Sequence, residues 1–315
     1  MEVAMASRGD WMQAGLDENG LALEIAPLDK PVLTRGNWNV RYADHLDTAG
    51  LMHKYASHET VDKEAIQTVN YVVGAEGLAA AVGADRFSAV ISSHVLEHVP
   101  NPIRWLLDIH TICTDGGAAV FAVPDRLRCF DGLRRPSVVA DWLGAYLEDA
   151  WRPSPRNVID ALLGECSWQG QFTWEGEPSS EALRHNRQPA LALEMARQAV
   201  ASSDYYDVHC WVFQPGELFD IFHSLAVLDL FPFTFGGFRG TEGNEFLFRL
   251  VRDDASSWEE RLGSLPLSRA GRAAALPEDF SVAAYLANNP DLVAARVDPI
   301  THWLEYGRHE GRRHA

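Results

Sequence analysis

The stretch SSHVLEHVPNP, residues 92–102, sets His94, Glu97 and His98 in the spacing H-x-x-E-H. On a helix the two imidazoles would stand one turn apart and, with an acidic ligand from elsewhere, could hold zinc. The same letters suit a turn after a buried strand. The surroundings favour the turn: residues 87–91 read as a strand, and Pro100 and Pro102 restrict the residues before them. No metal ligand is therefore assigned. Two carboxylates also stand out by position: Glu24 closes one short apolar run and Asp44, twenty residues on, closes the next. An acid at that spacing accepts hydrogen bonds from ribose hydroxyls in nucleotide-binding α/β folds.

Those positions depend on the elements that carry them. Residues 21–28, 37–45, 69–74, 85–94 and 118–124 are short apolar or alternating runs bounded by turn residues, as strands are. Between the last two, residues 100–113 form an amphipathic helix with Pro102 in its first turn, stopped by Gly116-Gly117. Strands alternating with helices require crossover connections, and the fold class is α/β with a doubly wound, mostly parallel sheet. Residues 207–225 read as a strand, a proline-led turn and a helix, and 230–238 and 244–252 as closing strands with an antiparallel edge.

Residues 125–205, rich in Trp, Pro and Arg, interrupt this pattern and read as an inserted helical region or lid, with helices at 138–149 and 189–201. The first domain is thus residues 1–252. Residues 253–275 shift to Ser, Arg and Ala, as a linker would, and 276–315 form a small helical appendage around Asn289-Pro290 and Asp298-Pro299.

Composition narrows the function. The 315 residues carry 27 Lys and Arg against 44 Asp and Glu, a net charge of −17 that disfavours nucleic acid or an anionic membrane as partner. The short basic stretches 126–135 and 308–313 read as solvated faces. Cys113, Cys129, Cys166 and Cys210 show no C-x-x-C spacing, which fits reduced thiols in a cytoplasmic protein. Neither an export signal nor an apolar run of membrane-spanning length is recognisable.

LEIAPLDKP, YADH, SHVLEHVPNP and DGGAAVFAVPD, in this order and spacing, resemble the class I S-adenosylmethionine-dependent methyltransferases. More narrowly, LEIAPLDKP, VPDRLRCFDGLRRP and DVHCWVFQP are similar to a bacterial methyltransferase-domain family found with glycosyltransferases of surface-polysaccharide synthesis. The resemblance covers roughly residues 20–250 and implies a Rossmann-like fold with S-adenosylmethionine as cofactor. By position it implies Glu24, Ile25, Ala26 and Pro27 in the cofactor loop and Asp44, followed by His45, at the ribose. Val69 to Val73 would lie beside the adenine, and Ser93 and His94 would border the methionine end. Glu97 and His98 would support the turn.

Methyl transfer needs an acceptor held in line with the sulfonium methyl and a base for the acceptor's proton. Histidine suits that base, and His209 and His94 are the candidates, with Asp125 and Asp131 assisting or holding sugar hydroxyls. Trp211 and Phe213 read as core rather than as a sugar platform. The implied acceptor is a sugar hydroxyl of a surface glycan or a nucleotide-sugar precursor, with the appendage as a docking unit for a glycosyltransferase partner. One departure stands out: the family loop usually has glycine where this chain has Ala26, although the position before Pro27 favours an extended backbone that alanine tolerates. That departure keeps open a catalytically degenerate binding module with the same fold. Metal-dependent hydrolysis at His94 and His98 is a third reading.

Overall fold

The computed structural model describes residues 7–202, 205–267 and 276–315. Its centre is a seven-stranded sheet of order β3-β2-β1-β4-β5-β9-β8. These strands are β1 (Ala22–Ile25), β2 (Val40–Asp44), β3 (Tyr71–Val72), β4 (Phe87–Ser93), β5 (Cys113–Pro124), β8 (Phe233–Glu242) and β9 (Glu245–Arg252). A two-stranded ribbon, β6 (Cys166–Ser167) and β7 (Arg184–His185), lies in the inserted region. β1 to β5 pair in parallel, whereas β9 is antiparallel to both β5 and β8. Gly243, at φ +59°, makes the tight turn between those last two strands, a conformation glycine adopts freely.

Strands buried on both faces are near-continuously apolar, and β1 is buried along its whole length, with Glu24 as its one charged residue. One face is covered by α3 (Leu78–Val82), α4 (Pro102–Ile112), α5 (Val139–Leu147) and α8 (Pro215–Val227), which share a core with Leu23, Val90, Phe121 and Phe248. The other carries α1 (Arg8–Gln13), whose Met12 packs on Ala22, Ile91 and Val120. Asn101 caps α4 by accepting from the Arg104 amide at 3.1 Å, with Pro102 in the first turn. The helix ends at Ile112 and passes directly into β5, earlier than the Gly116-Gly117 stop expected from sequence. Those glycines serve an irregular start to β5: a Cβ at Gly117 would lie 2.8 Å from the Thr114 carbonyl oxygen.

Residues 207–214, expected as a strand, join no sheet. They run instead across the loop after β4, where Trp211 donates its amide to the Glu97 carbonyl and its indole N–H to the Val99 carbonyl. The inserted region holds the two expected helices, α5 and α7 (Pro189–Ala201), and a third, α6 (Pro155–Gly164), packed against α7. Within the stretch expected as linker, α9 (Trp258–Ser264) is a capped helix; residues 268–275 lie outside the described residues. The terminal helices Val282–Asn288, Pro290–Ala295 and Pro299–His302 bury Tyr285, Leu286, Leu292 and Ile300 in the same core as Leu262 of α9. Among the described residues no helix is long and apolar enough to cross a membrane.

Candidate active site

The strand order reverses between β1 and β4, so the loops after them leave in opposite directions and open a crevice at the carboxyl ends of the parallel strands. Three non-glycine residues in those loops have left-handed backbones: Ala26 at φ +51°, Leu28 at +48° and His94 at +52°. Each costs about 1–2 kcal/mol and persists only where its surroundings impose it. Here they do. Ala26 donates its amide to Ala43 (2.8 Å), and Leu28 accepts from Gln67 (2.8 Å). The buried Glu24 carboxylate folds the loop back by accepting from the amides of Val32 (2.7 Å) and Leu33 (2.8 Å). Burial pushes the Glu24 carboxyl up to about 7, beyond what these two amides and Arg8 offset.

Glu24 therefore shapes the loop after β1 through the backbone amides of Val32 and Leu33. The extended conformation expected for Ala26 is not what the structure shows: it has the left-handed conformation that glycine adopts without strain. Ala26→Gly is accordingly expected to tighten S-adenosylhomocysteine binding and leave stability level or up to about 1 kcal/mol higher, relief of strain exceeding glycine's entropic cost. Calorimetric titration and thermal unfolding check both.

Asp44 ends β2 nearly buried. Its Oδ1 accepts from the His45 amide (2.7 Å) and meets His45 Nδ1 (2.6 Å), while Oδ2 has no hydrogen-bond partner among the described residues. Lys54 lies 3.2 Å from His45 Nε2 and 2.9 Å from Asp207, tying the end of β2 to the 205–214 segment. Val73 donates its amide to the Asp44 carbonyl (2.8 Å), which sets β3 and the segment from Val69 beside this acid.

His94 to His98 form a turn after β4, in agreement with the sequence reading. The His94 imidazole sits between Glu245 (Nε2 to Oε2, 2.8 Å) and Glu97 (3.4 Å). Burial opposes its charge, but the Glu245 hydrogen bond and the nearby Glu97 carboxylate outweigh it and raise its pKa to about 9. His94 is thus a cation at neutral pH and a poor proton acceptor. Arg8 joins it, reaching both Glu245 (2.5 Å) and the Ser93 hydroxyl (2.6 Å).

His209 is placed differently. Its Nδ1 is 2.6 Å from Asp131 Oδ2, and the other oxygen of Asp131 accepts from Arg134 at 2.6 Å. Burial would raise the Asp131 carboxyl, yet the charges of His209 and Arg134 hold it down at about 2. Asp131 therefore stays ionised and fixes the ring, whose Nε2 has no hydrogen-bond partner among the described residues. The His209 ring lies 4.5 Å from that of Phe130, which in turn meets the half-exposed Phe172 edge-on. It crosses the His98 ring edge-on at 4.7 Å.

Asp125, the remaining candidate, stands apart. Its oxygens accept from the Leu127 amide (3.0 Å) and the Thr241 hydroxyl (2.6 Å), so it holds the loop after β5. Trp211 and Phe213 are core residues packed around Trp142. Arg8, Glu245, Lys54 and Arg134 were not legible as site residues, because their partners lie far away in sequence or on irregular loops. Asp207 was closer to hand, two positions before His209.

A family model described as a methyltransferase domain matches residues 40–225, more than half of the chain. The chain belongs to that family. It is a class I S-adenosylmethionine-dependent methyltransferase, with S-adenosylmethionine as its cofactor. No curated protein matches it. Among solved structures it is similar to an S-adenosylmethionine-dependent methyltransferase from Mesorhizobium loti, at 12% identity over 78% of this chain and 98% of that one, with a TM-score of 0.35. A methyltransferase of the same description from Methanosarcina mazei gives 13% identity, 76% and 94% coverage and a TM-score of 0.36. Asp44 Oδ2, at the carboxyl end of β2, has no hydrogen-bond partner among the described residues, and a ribose hydroxyl is a group it could accept from.

Proposed function

We propose that this methyltransferase transfers its methyl group to a hydroxyl oxygen, with a sugar hydroxyl of a surface glycan or of a nucleotide-sugar precursor as the acceptor. The observation that carries the oxygen-acceptor reading is the buried His209–Asp131–Arg134 relay beside the turn after β4. Asp44 and the loop from Glu24 to Pro27 would hold the cofactor's nucleoside, and Ser93 and the His94 turn its methionine end. The bound cofactor supplies an electrophilic methyl on sulfonium sulfur.

In the metal-free protein His209 Nε2 takes the acceptor's proton. Asp131 keeps the ring in the tautomer that can do so and stabilises the imidazolium that results. Phe130 and Phe172 offer an aromatic face to the apolar side of a sugar ring. A groove of about 580 Å³, lined by Arg135, Asp141, Glu148, Arg156 and Trp211 among others, begins one residue beyond His209 and suits a polyhydroxylated molecule. The inserted region 125–205 is then the acceptor-selecting part of a domain spanning residues 1–252. The appendage is assigned to docking a glycosyltransferase, and the cytoplasm is the compartment.

Transfer of labelled methyl from S-adenosylmethionine to a panel of nucleotide sugars and oligosaccharides tests the reading. Formation of a sugar methyl ether is expected, with Phe172→Ala raising KM about tenfold at little-changed kcat. Methylation confined to amine or carbon acceptors would overturn it.

A further inference from the structure

Glu97 is completely buried, and its carboxylate has one long contact, 3.4 Å to His94 Nδ1, with no hydrogen bond of regular geometry. A buried carboxylate held by one long contact is costly, and proteins ordinarily offset that cost by closer pairing or by coordinating a metal. The groups around it suit the second. One ligand-capable atom each from Glu97, His98 and His209 lies within 4.8 Å of the others. His209 Nδ1 is hydrogen-bonded by Asp131 at 2.6 Å, and His98 Nδ1 lies 2.8 Å from an Asp207 oxygen, outside regular hydrogen-bond geometry. Each ring thus keeps Nε2 for a Lewis acid, and a carboxylate behind a ligating histidine is the usual way metal sites fix ring orientation and tautomer.

We propose that Glu97, His98 and His209 bind a divalent transition-metal ion, with Asp131 and Asp207 as positioning residues. Two imidazoles and one carboxylate suit zinc, manganese, iron or cobalt, whereas magnesium and calcium take oxygen ligands. Metal–ligand bonds of about 2.0–2.2 Å put ligand atoms at most about 4.4 Å apart, and about 3.5 Å in a tetrahedral site, so closure takes side-chain adjustment of about an ångström. The ligand pair differs from the one suggested by H-x-x-E-H: His94 is paired with Glu245, and its place is taken by His209 from the 205–214 segment. Three protein ligands leave positions open on the metal beside Phe130. An acceptor hydroxyl bound there loses its proton to solvent more readily, the metal taking over the role of His209 Nε2 as base. This last step rests on the proposed acceptor reading; the metal site does not.

The test uses the full chain without an affinity tag, stripped with chelator and titrated with cobalt(II) chloride alone. About one equivalent is expected to bind, with a visible absorption band of protein-bound cobalt that zinc abolishes. Glu97→Gln and His209→Ala should each weaken binding at least 100-fold, and Asp207→Asn about 10–100-fold. The exposed His58→Ala and His185→Ala should change nothing. Folding is followed by circular dichroism, and the wild-type titration stands even if a variant does not fold. Absence of stoichiometric binding by folded wild-type protein, or binding unchanged in Glu97→Gln and His209→Ala, would overturn the site. Neither acceptor nor cofactor enters this measurement, so a missing metal leaves methyl transfer standing. A loaded protein that methylates no hydroxyl counts against the acceptor reading alone.

Discussion

His209→Ala is expected to lower kcat for methyl transfer by about 10²–10⁴-fold, the range that a positioned general acid or base contributes. Asp131→Asn should lie close behind, because an amide neither stabilises the imidazolium nor enforces the required tautomer. Both changes leave the far side of the crevice intact, so affinity for S-adenosylhomocysteine should stay within a few fold of wild type. A loss of cofactor affinity equal to the loss of rate would move His209 out of the acceptor site. Asp131→Asn also leaves the buried Arg134 guanidinium with Asp160 alone as its counter-ion, so thermal unfolding must accompany the kinetics.

Asp44→Ala is expected to weaken S-adenosylhomocysteine binding by about 100-fold or more. A hydrogen bond to a charged group contributes about 1.5–3 kcal/mol, and a carboxylate at this position can receive two ribose hydroxyls. Calorimetric titration reads the effect directly, with Asp44→Asn falling between. Retained affinity in Asp44→Ala would mean that the ribose is held elsewhere and that Asp44 serves to fix His45 and, through it, Lys54.

The two histidine candidates show how far sequence reasoning reached. His94 and His209 are equally plausible bases by residue type. They differ because β9 delivers Glu245 to one, opposite Pro124 in the antiparallel register, while the loop after β5 delivers Asp131 to the other. Neither pairing has a local signature: the partners are separated by 151 and 78 residues. Ala26 teaches the same lesson for the backbone. The bias of a residue before proline is weak, and the hydrogen bond to β2 together with the Glu24 clasp overrides it.

The sequence by itself determined the alternating strand and helix order, the parallel sheet, the acids at the ends of β1 and β2, and the turn after β4. Each of these follows from local periodicity, from turn residues, or from the requirement that strands buried on both faces be near-continuously apolar. The tertiary structure alone decided that residues 207–214 cross the mouth of the sheet rather than join it, bringing His209 to Glu97 and His98. It also decided that His94 is held as a cation. These outcomes depend on desolvation and on charges brought together from distant parts of the chain, and such energies exist only once the chain has closed around them.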